Sequence, residues 1–124
     1  MTVRELYESI GGSYESALKV MQMEKLVSKF IVRFLDDTAH DRLADAATRK
    51  DAAGMFEASH SMKGVCANLG LDSLSAKAAR IADEFRPGRE RTMSEDEVDA
   101  LLASLEEQYA RSIEGIRRFA SEQA

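Results

Sequence analysis

Residues 51–70 read DAAGMFEASHSMKGVCANLG, from Asp51 to Gly70, and this stretch decides the fold. Asp51 is a good N-cap, because its side chain can accept from an unpaired N–H of the first helical turn. Gly70 suits the left-handed position just past a helix end. Between them, at about 100° per residue, Met55, Ala58, Ser59, Met62, Val65, Cys66 and Leu69 fall within roughly 60° of one direction. That stripe is a core face. His60 lies nearly opposite it, with Ala53, Phe56, Glu57, Lys63, Gly64 and Ala67 around it. The spacing therefore predicts a helix over about 51–69 that points a histidine at solvent from its middle.

Working outward, the same helical period continues in both directions. Thr2 with Glu5 makes a capping box for a short helix that Gly11-Gly12 closes, and Ser13 caps a second short segment through Leu18 and Met21. Leu26, Val27, Phe30, Ile31, Phe34 and Leu35 recur at steps of three and four, which predicts one longer helix with His40-Asp41 near its end. A brief helical stretch carrying Leu43 and Ala47 follows, up to a polar turn at Thr48-Arg49-Lys50. Beyond Gly70 the chain restarts at Asp72 or Ser73, and Leu74, Ala78, Ile81 and Phe85 form a stripe until Pro87-Gly88 breaks it. After a charged link, Ser94 with Glu97 makes a second capping box. The last helix, about 94–121, spans roughly 25 residues or about 38 Å. Nothing alternates with period two. The expectation is an all-α, antiparallel four-helix-type bundle with short accessory N-terminal helices, in one domain over residues 1–124.

Composition narrows the function classes. A chain of 124 residues, 44% hydrophobic and 31% charged, suits one core and leaves no room for a second large catalytic domain. Lys and Arg number 17 against 22 Asp and Glu, and the net charge of −5 argues against a nucleic-acid partner, whose phosphates call for cations. No apolar run approaches the ~20 residues of a membrane span, and the N-terminus lacks a signal-like apolar stretch. A single cysteine rules out an internal disulfide and fits a reducing compartment. A cytoplasmic monomer is expected. Met1 and the capped first helix fit a free-standing protein, although a fragment of a larger one reads identically, and pairing of two chains through the last helix stays open.

The surroundings of His60 point to chemistry. A glycine inside a helix costs about 1 kcal/mol relative to alanine, so Gly64, one turn after His60, asks for a reason; a missing side chain lets another molecule approach the imidazole. Lys63 is close enough on the helix to lean toward whatever His60 carries. Imidazole's reference pKa near 6.5 leaves an exposed histidine largely neutral at pH 7, with a free lone pair able to attack phosphorus. An ammonium beside it would offset charge on phosphoryl oxygens. The set of base, orienting carboxylate and oxyanion hole that acyl transfer needs is missing from the pattern. Alternatives remain for the individual residues: Lys63 as a solvated lysine, Phe56 tucked under a loop, Asn68 finishing the helix beside Gly70. His40 is expected to support a helix C-terminus or meet water, Cys66 to be a buried hydrophobe, and neither to build a metal site.

At these residues a resemblance becomes specific. His60-Ser61-Met62-Lys63-Gly64, continuing through Val65-Cys66-Ala67-Asn68-Leu69-Gly70, resembles the signature of the histidine-phosphotransfer (HPt) domain family: His, Lys three on, Gly four on, and a Gly ten on that closes the helix. The Phe30–Leu35 stripe and Ala58 are similar to that family as well, and the likeness covers roughly residues 20–87. Met62 stands where the family often has Leu. The resemblance implies a carrier in a multistep phosphorelay. His60 would take a phosphoryl group, on Nε2, from a receiver-domain aspartate and pass it to another receiver, with Lys63 near the phosphate and Gly64 giving access. It implies receiver domains of response regulators or hybrid histidine kinases as partners. It also implies no cofactor or metal of the chain's own, with Mg²⁺ on the partner receiver. Ala53, Phe56, Glu57, Ala67 and Asn68 are contact candidates from geometry. No glycine-rich nucleotide loop is present, so self-phosphorylation from ATP is not expected. Two rival readings are a phosphoacceptor domain of a larger hybrid or chemotaxis-type kinase, and a receiver-binding adaptor that is never phosphorylated.

Overall fold

A computed structural model of the chain describes residues 1–123. Seven α-helices follow one another among the described residues: α1 (Val3–Ile10), α2 (Tyr14–Met21), α3 (Glu24–Arg33), α4 (Ala39–Thr48), α5 (Ala52–Asn68), α6 (Asp72–Glu84) and α7 (Glu95–Gln123). A single 3₁₀ turn, Phe34–Asp36, separates α3 from α4, and the described residues contain no strand. The all-α expectation holds. None of these helices is long and apolar enough to cross a membrane.

The caps explain most boundaries. Thr2 Oγ1 accepts from the Glu5 N–H at 3.1 Å while the Thr2 N–H donates to Glu5 Oε1 at 2.8 Å. Ser94 and Glu97 repeat that reciprocal pair at 3.1 and 2.8 Å ahead of α7. Each box satisfies two donors that a helix start would otherwise leave unpaired. α7 runs 29 residues, a little beyond the expected span.

One boundary differs from the sequence reading. The apolar steps through Phe34 and Leu35 suggested an uninterrupted helix to His40, but α3 ends at Arg33 and α4 begins at Ala39. Asp37 Oδ2 accepts from the Ala39 N–H at 3.0 Å, a local side-chain bond that competes with the helical ladder and starts a new helix. His40 thus stands in the first turn of α4 rather than near the end of α3.

The core gathers Leu6, Val27, Ile31, Leu43, Met62, Leu74, Ile81, Leu105, Ile116 and Phe119, contributed by every helix but α2, which adds Ala17. Within this frame α5 is the central element. It packs most extensively against α6 and α4, and also meets α2. Only one face of α5 is left for solvent.

Candidate functional site

α5 is fastened at both ends and stitched along its side. Asp51 Oδ1 accepts from the Gly54 N–H at 3.1 Å, the cap expected from sequence. At the other end Leu71 N–H bonds to Cys66 C=O at 2.9 Å and Gly70 N–H to Ala67 C=O at 3.2 Å, the paired bonds of a Schellman ending. Gly70 has φ +70°, and a Cβ there would collide with the Ser13 carbonyl oxygen and reach within 3.0 Å of the Ala17 nitrogen. Only glycine lets α2 come this close, and the contact is used: Ser13 N–H donates to Gly70 C=O at 2.8 Å. Tyr7 Oη–H donates to Leu69 C=O at 2.6 Å, and Ser75 Oγ–H from α6 donates to Lys63 C=O at 2.9 Å. Buried Ser59 satisfies its hydroxyl within the helix, on Met55 C=O at 2.6 Å. These bonds make α5 a stiff mount.

The core face is as expected, with Met55, Ala58, Ser59, Met62, Cys66 and Leu69 buried; Val65 alone of that stripe is half-exposed. Burial pushes the Cys66 thiol up to about 12, so it packs as a hydrophobe. On the opposite face His60 is exposed, and its ring nitrogens have no hydrogen-bond or ion-pair partner among the described residues. Gly64 is exposed, and a Cβ added there would meet nothing within 4 Å. Ala53, Glu57, Ala67 and Asn68 are exposed on this face, while Phe56 is half-buried. Phe56 lies beside the imidazole, its ring centroid 5.6 Å away and the planes 22° apart.

The two flanks of His60 differ. Toward α3, Val65, Leu69, Phe30 and Phe34 line an open groove of about 550 Å³, with Asn68, Arg33 and Asp37 at its edges. Asn68 thus belongs to this groove as well as to the helix end. Toward α6 the surface is charged. Lys63 is half-buried on this side, and Arg86, just past the end of α6, places its guanidinium carbon 5.8 Å over the Phe56 ring. Arg86 Nη2 donates to Asp83 Oδ1 at 2.7 Å. That bond holds the Asp83 carboxyl below its usual range against the opposing effect of burial, and the charges of Arg86, Arg89 and Lys63 add smaller contributions.

Sequence reading missed Arg86 and Asp83, because both were absorbed into the end of a stripe and a charged link. The α5–α6 turn carried the signal. Counting equally outward from Gly70 sets Phe56 opposite residue 84 in an antiparallel pair. What fixes the segment beyond is Glu84, which is 2% exposed. Its carboxylate accepts from Arg91 Nε at 2.6 Å, Thr92 Oγ1 at 2.8 Å, and the Thr92 and Met93 N–H groups, both at 3.0 Å. The Arg91 bond, followed by those from the Met93 and Thr92 groups, pulls this carboxyl down to about 2 despite its burial. The link between α6 and α7 is thereby folded back on α6, with Arg91 stacked 4.1 Å over Phe85.

His40 does not cap a helix C-terminus or face water. Its ring stacks on Tyr109 of α7 at 3.6 Å and 6°, Nε2 bonds to the Glu106 carboxylate, and Nδ1 lies 3.4 Å from Asp41 Oδ1. It is a strap between α4 and α7. Among the described residues no three His, Cys, Asp or Glu side chains converge as metal ligands.

The fold and this surface define a helical bundle that presents one unpartnered imidazole from a stiff helix, with the Phe56 ring stacked beside it and the Arg86 guanidinium over that ring. A family model for the Hpt domain matches residues 25–115, which include all of α3 but its first residue, the whole of α4 to α6 and most of α7. No curated protein and no solved structure gave a match. The chain belongs to the Hpt domain family. Domains of this family carry out histidine phosphotransfer in phosphorelays and interact with receiver domains.

Proposed function

We propose that this chain is a phosphoryl carrier in which His60 accepts a phosphoryl group from a receiver-domain aspartate and returns it to another receiver. The supporting observation is the unpartnered, exposed imidazole at the middle of α5 with open space over Gly64. In the forward step the lone pair of the neutral ring, at Nε2 by the family likeness, forms an N–P bond as the acyl-phosphate O–P bond breaks. The electron pair of that bond leaves on the receiver's aspartate carboxylate, and the ring's other nitrogen keeps its proton. The reverse step restores the starting species.

The chain's own contribution is positioning and charge, which dominate phosphoryl transfer. A stiff α5 holds the ring in line, Gly64 admits the incoming group, and Lys63, three residues on, and Arg86, over the Phe56 ring, would supply the positive charge that a phosphoryl group calls for. Mg²⁺, if held by the partner receiver, would supply charge neutralisation for the acyl phosphate there, and this reading calls for no cofactor of the carrier's own. Ala53, Phe56, Glu57, Ala67 and Asn68 form the rim that meets the receiver, and the apolar groove toward α3 extends it. The carrier acts as a cytoplasmic monomer and does not phosphorylate itself from ATP.

The test mixes the protein with a phosphorylated receiver and follows acid-labile label. Wild type is expected to take label and His60→Gln none. Label that persists in His60→Gln would refute the site, and no label on either protein across a panel of competent receivers would favour a non-phosphorylated adaptor.

A further inference from the structure

The charged flank of His60 contains an anion that the phosphoryl-carrier reading does not use. Asp83 lies in the last turn of α6, bonded through Oδ1 to Arg86 Nη2 at 2.7 Å, while its backbone C=O accepts from Arg89 Nη1 at 2.8 Å. Its carboxylate also feels the Lys63 ammonium on α5. The same Arg86 guanidinium stands 5.8 Å over Phe56, the ring that stacks on His60. One carboxylate thus pairs with the cation that stands over the histidine's stacking partner.

This pairing is built to be exchanged. Both side chains are about half exposed, at 54% for Asp83 and 48% for Arg86, and an ion pair so open to solvent is weak. A phosphoryl group carries nearly two negative charges at pH 7 and three acceptor oxygens, which suit a guanidinium better than one carboxylate does. The better partner for Arg86 therefore changes with the state of His60. Before transfer it is Asp83; afterwards it is the phosphoryl group, with Phe56 as the surface the guanidinium moves across.

We infer that Asp83 is a positioning residue that holds Arg86 over Phe56 while the histidine is bare, yields it to the phosphoryl group, and thereby limits how strongly the carrier retains its load. The inference rests on His60 as phosphoacceptor. It assigns opposite signs to two members of one ion pair: Arg86 favours the loaded carrier and Asp83 disfavours it, by competing for the cation and by repelling the new charge.

The experiment measures how label partitions at equilibrium between the intact carrier and a cognate receiver, together with the lifetime of phosphohistidine formed by phosphoramidate, which needs no receiver. Asp83→Asn is expected to move the partition about threefold or more toward the carrier and to lengthen the lifetime, while Arg86→Ala moves both the other way. In the Arg86→Ala background the Asp83→Asn effect should largely vanish, as coupled residues require, and raising salt should shrink it. A purely structural Asp83 would change the unfolding midpoint and leave the partition alone. A labelled wild type whose partition and lifetime match those of Asp83→Asn would overturn this inference and leave His60 as the acceptor. A wild type that takes no label from either donor would take down both.

Discussion

The two histidines of this chain occupy helix surfaces, yet the bundle treats them oppositely. His40, in the first turn of α4, is stacked on Tyr109, bonded to Glu106 and 12% exposed. His60, in the middle of α5, is exposed and has no hydrogen-bond partner among the described residues. A ring nitrogen that bonds a carboxylate is committed to holding two helices together, whereas an unpaired one keeps a lone pair for an incoming electrophile. What separates a structural histidine from a chemical one here is the company it keeps, and that company comes from helices distant in sequence.

Two glycines, Gly64 within α5 and Gly70 just past its end, sharpen the contrast, and the largest effects are expected there. Gly70→Ala forces a left-handed φ on a residue with a Cβ and drives that carbon into the Ser13 carbonyl, so stability should fall by about 2 kcal/mol or more in urea unfolding. Gly64→Gln meets open space and removes a helix-interior glycine. Its stability should be unchanged or up to about 1 kcal/mol higher, while transfer from a receiver slows at least about tenfold because the approach to His60 is filled. Equal transfer rates for Gly64→Gln and wild type would remove steric access from the explanation.

A second comparison sets two acidic side chains of α6 against each other. Asp83 sits in a solvent-exposed ion pair, but Glu84, one residue on, is buried in a clamp of four donors. Its folded carboxyl is held at about 2 against an ordinary value of 4.5, so the unfolded chain takes up the proton first. Its contribution to stability is complete above about pH 4.5 and is lost as the pH falls toward 2. Glu84→Gln should therefore lower stability at pH 7 and flatten the decline below pH 4.5, as read from urea midpoints across that range. A midpoint unchanged at pH 7 would mean the link does not depend on the clamp.

The smallest effect belongs to Lys63. It forms no ion pair within 4.0 Å among the described residues, and the interaction of one partly exposed ammonium with a phosphoryl group is worth up to about 1 kcal/mol, or about fivefold. Lys63→Ala should cut the transfer rate or the phosphohistidine lifetime by no more than that. No change in either would make it a solvated lysine.

How much of this was legible in the sequence depended on range. Caps at Thr2, Asp51 and Ser94, the core stripe of α5, and the exposure of His60 and Gly64 all follow from spacing within a few turns, and they are as expected. The break between α3 and α4 was obscured because Phe30, Ile31, Phe34 and Leu35 keep the helical step across it. The Asp36-Asp37-Thr38 cluster was the overlooked signal, since such side chains bond their own backbone and stop a helix. Val65 was assigned to the core and is instead half-exposed at the groove facing α3, a detail set by how far α3 stands from α5. The strap at His40, the Arg86–Asp83 pair beside His60 and the Glu84 clamp all need pairings between helices or across a link. No single-helix wheel contains them.

The most direct test of His60 as the chemical histidine is to map the phosphoryl group on the intact chain after exposure to a phosphorylated receiver, with wild type, His40→Gln and His60→Gln compared at alkaline pH, where phosphohistidine survives. The expected result is one phosphoryl group, on His60, in wild type and His40→Gln alike, and none in His60→Gln. A phosphoryl group found on His40, or one retained by His60→Gln, would contradict it.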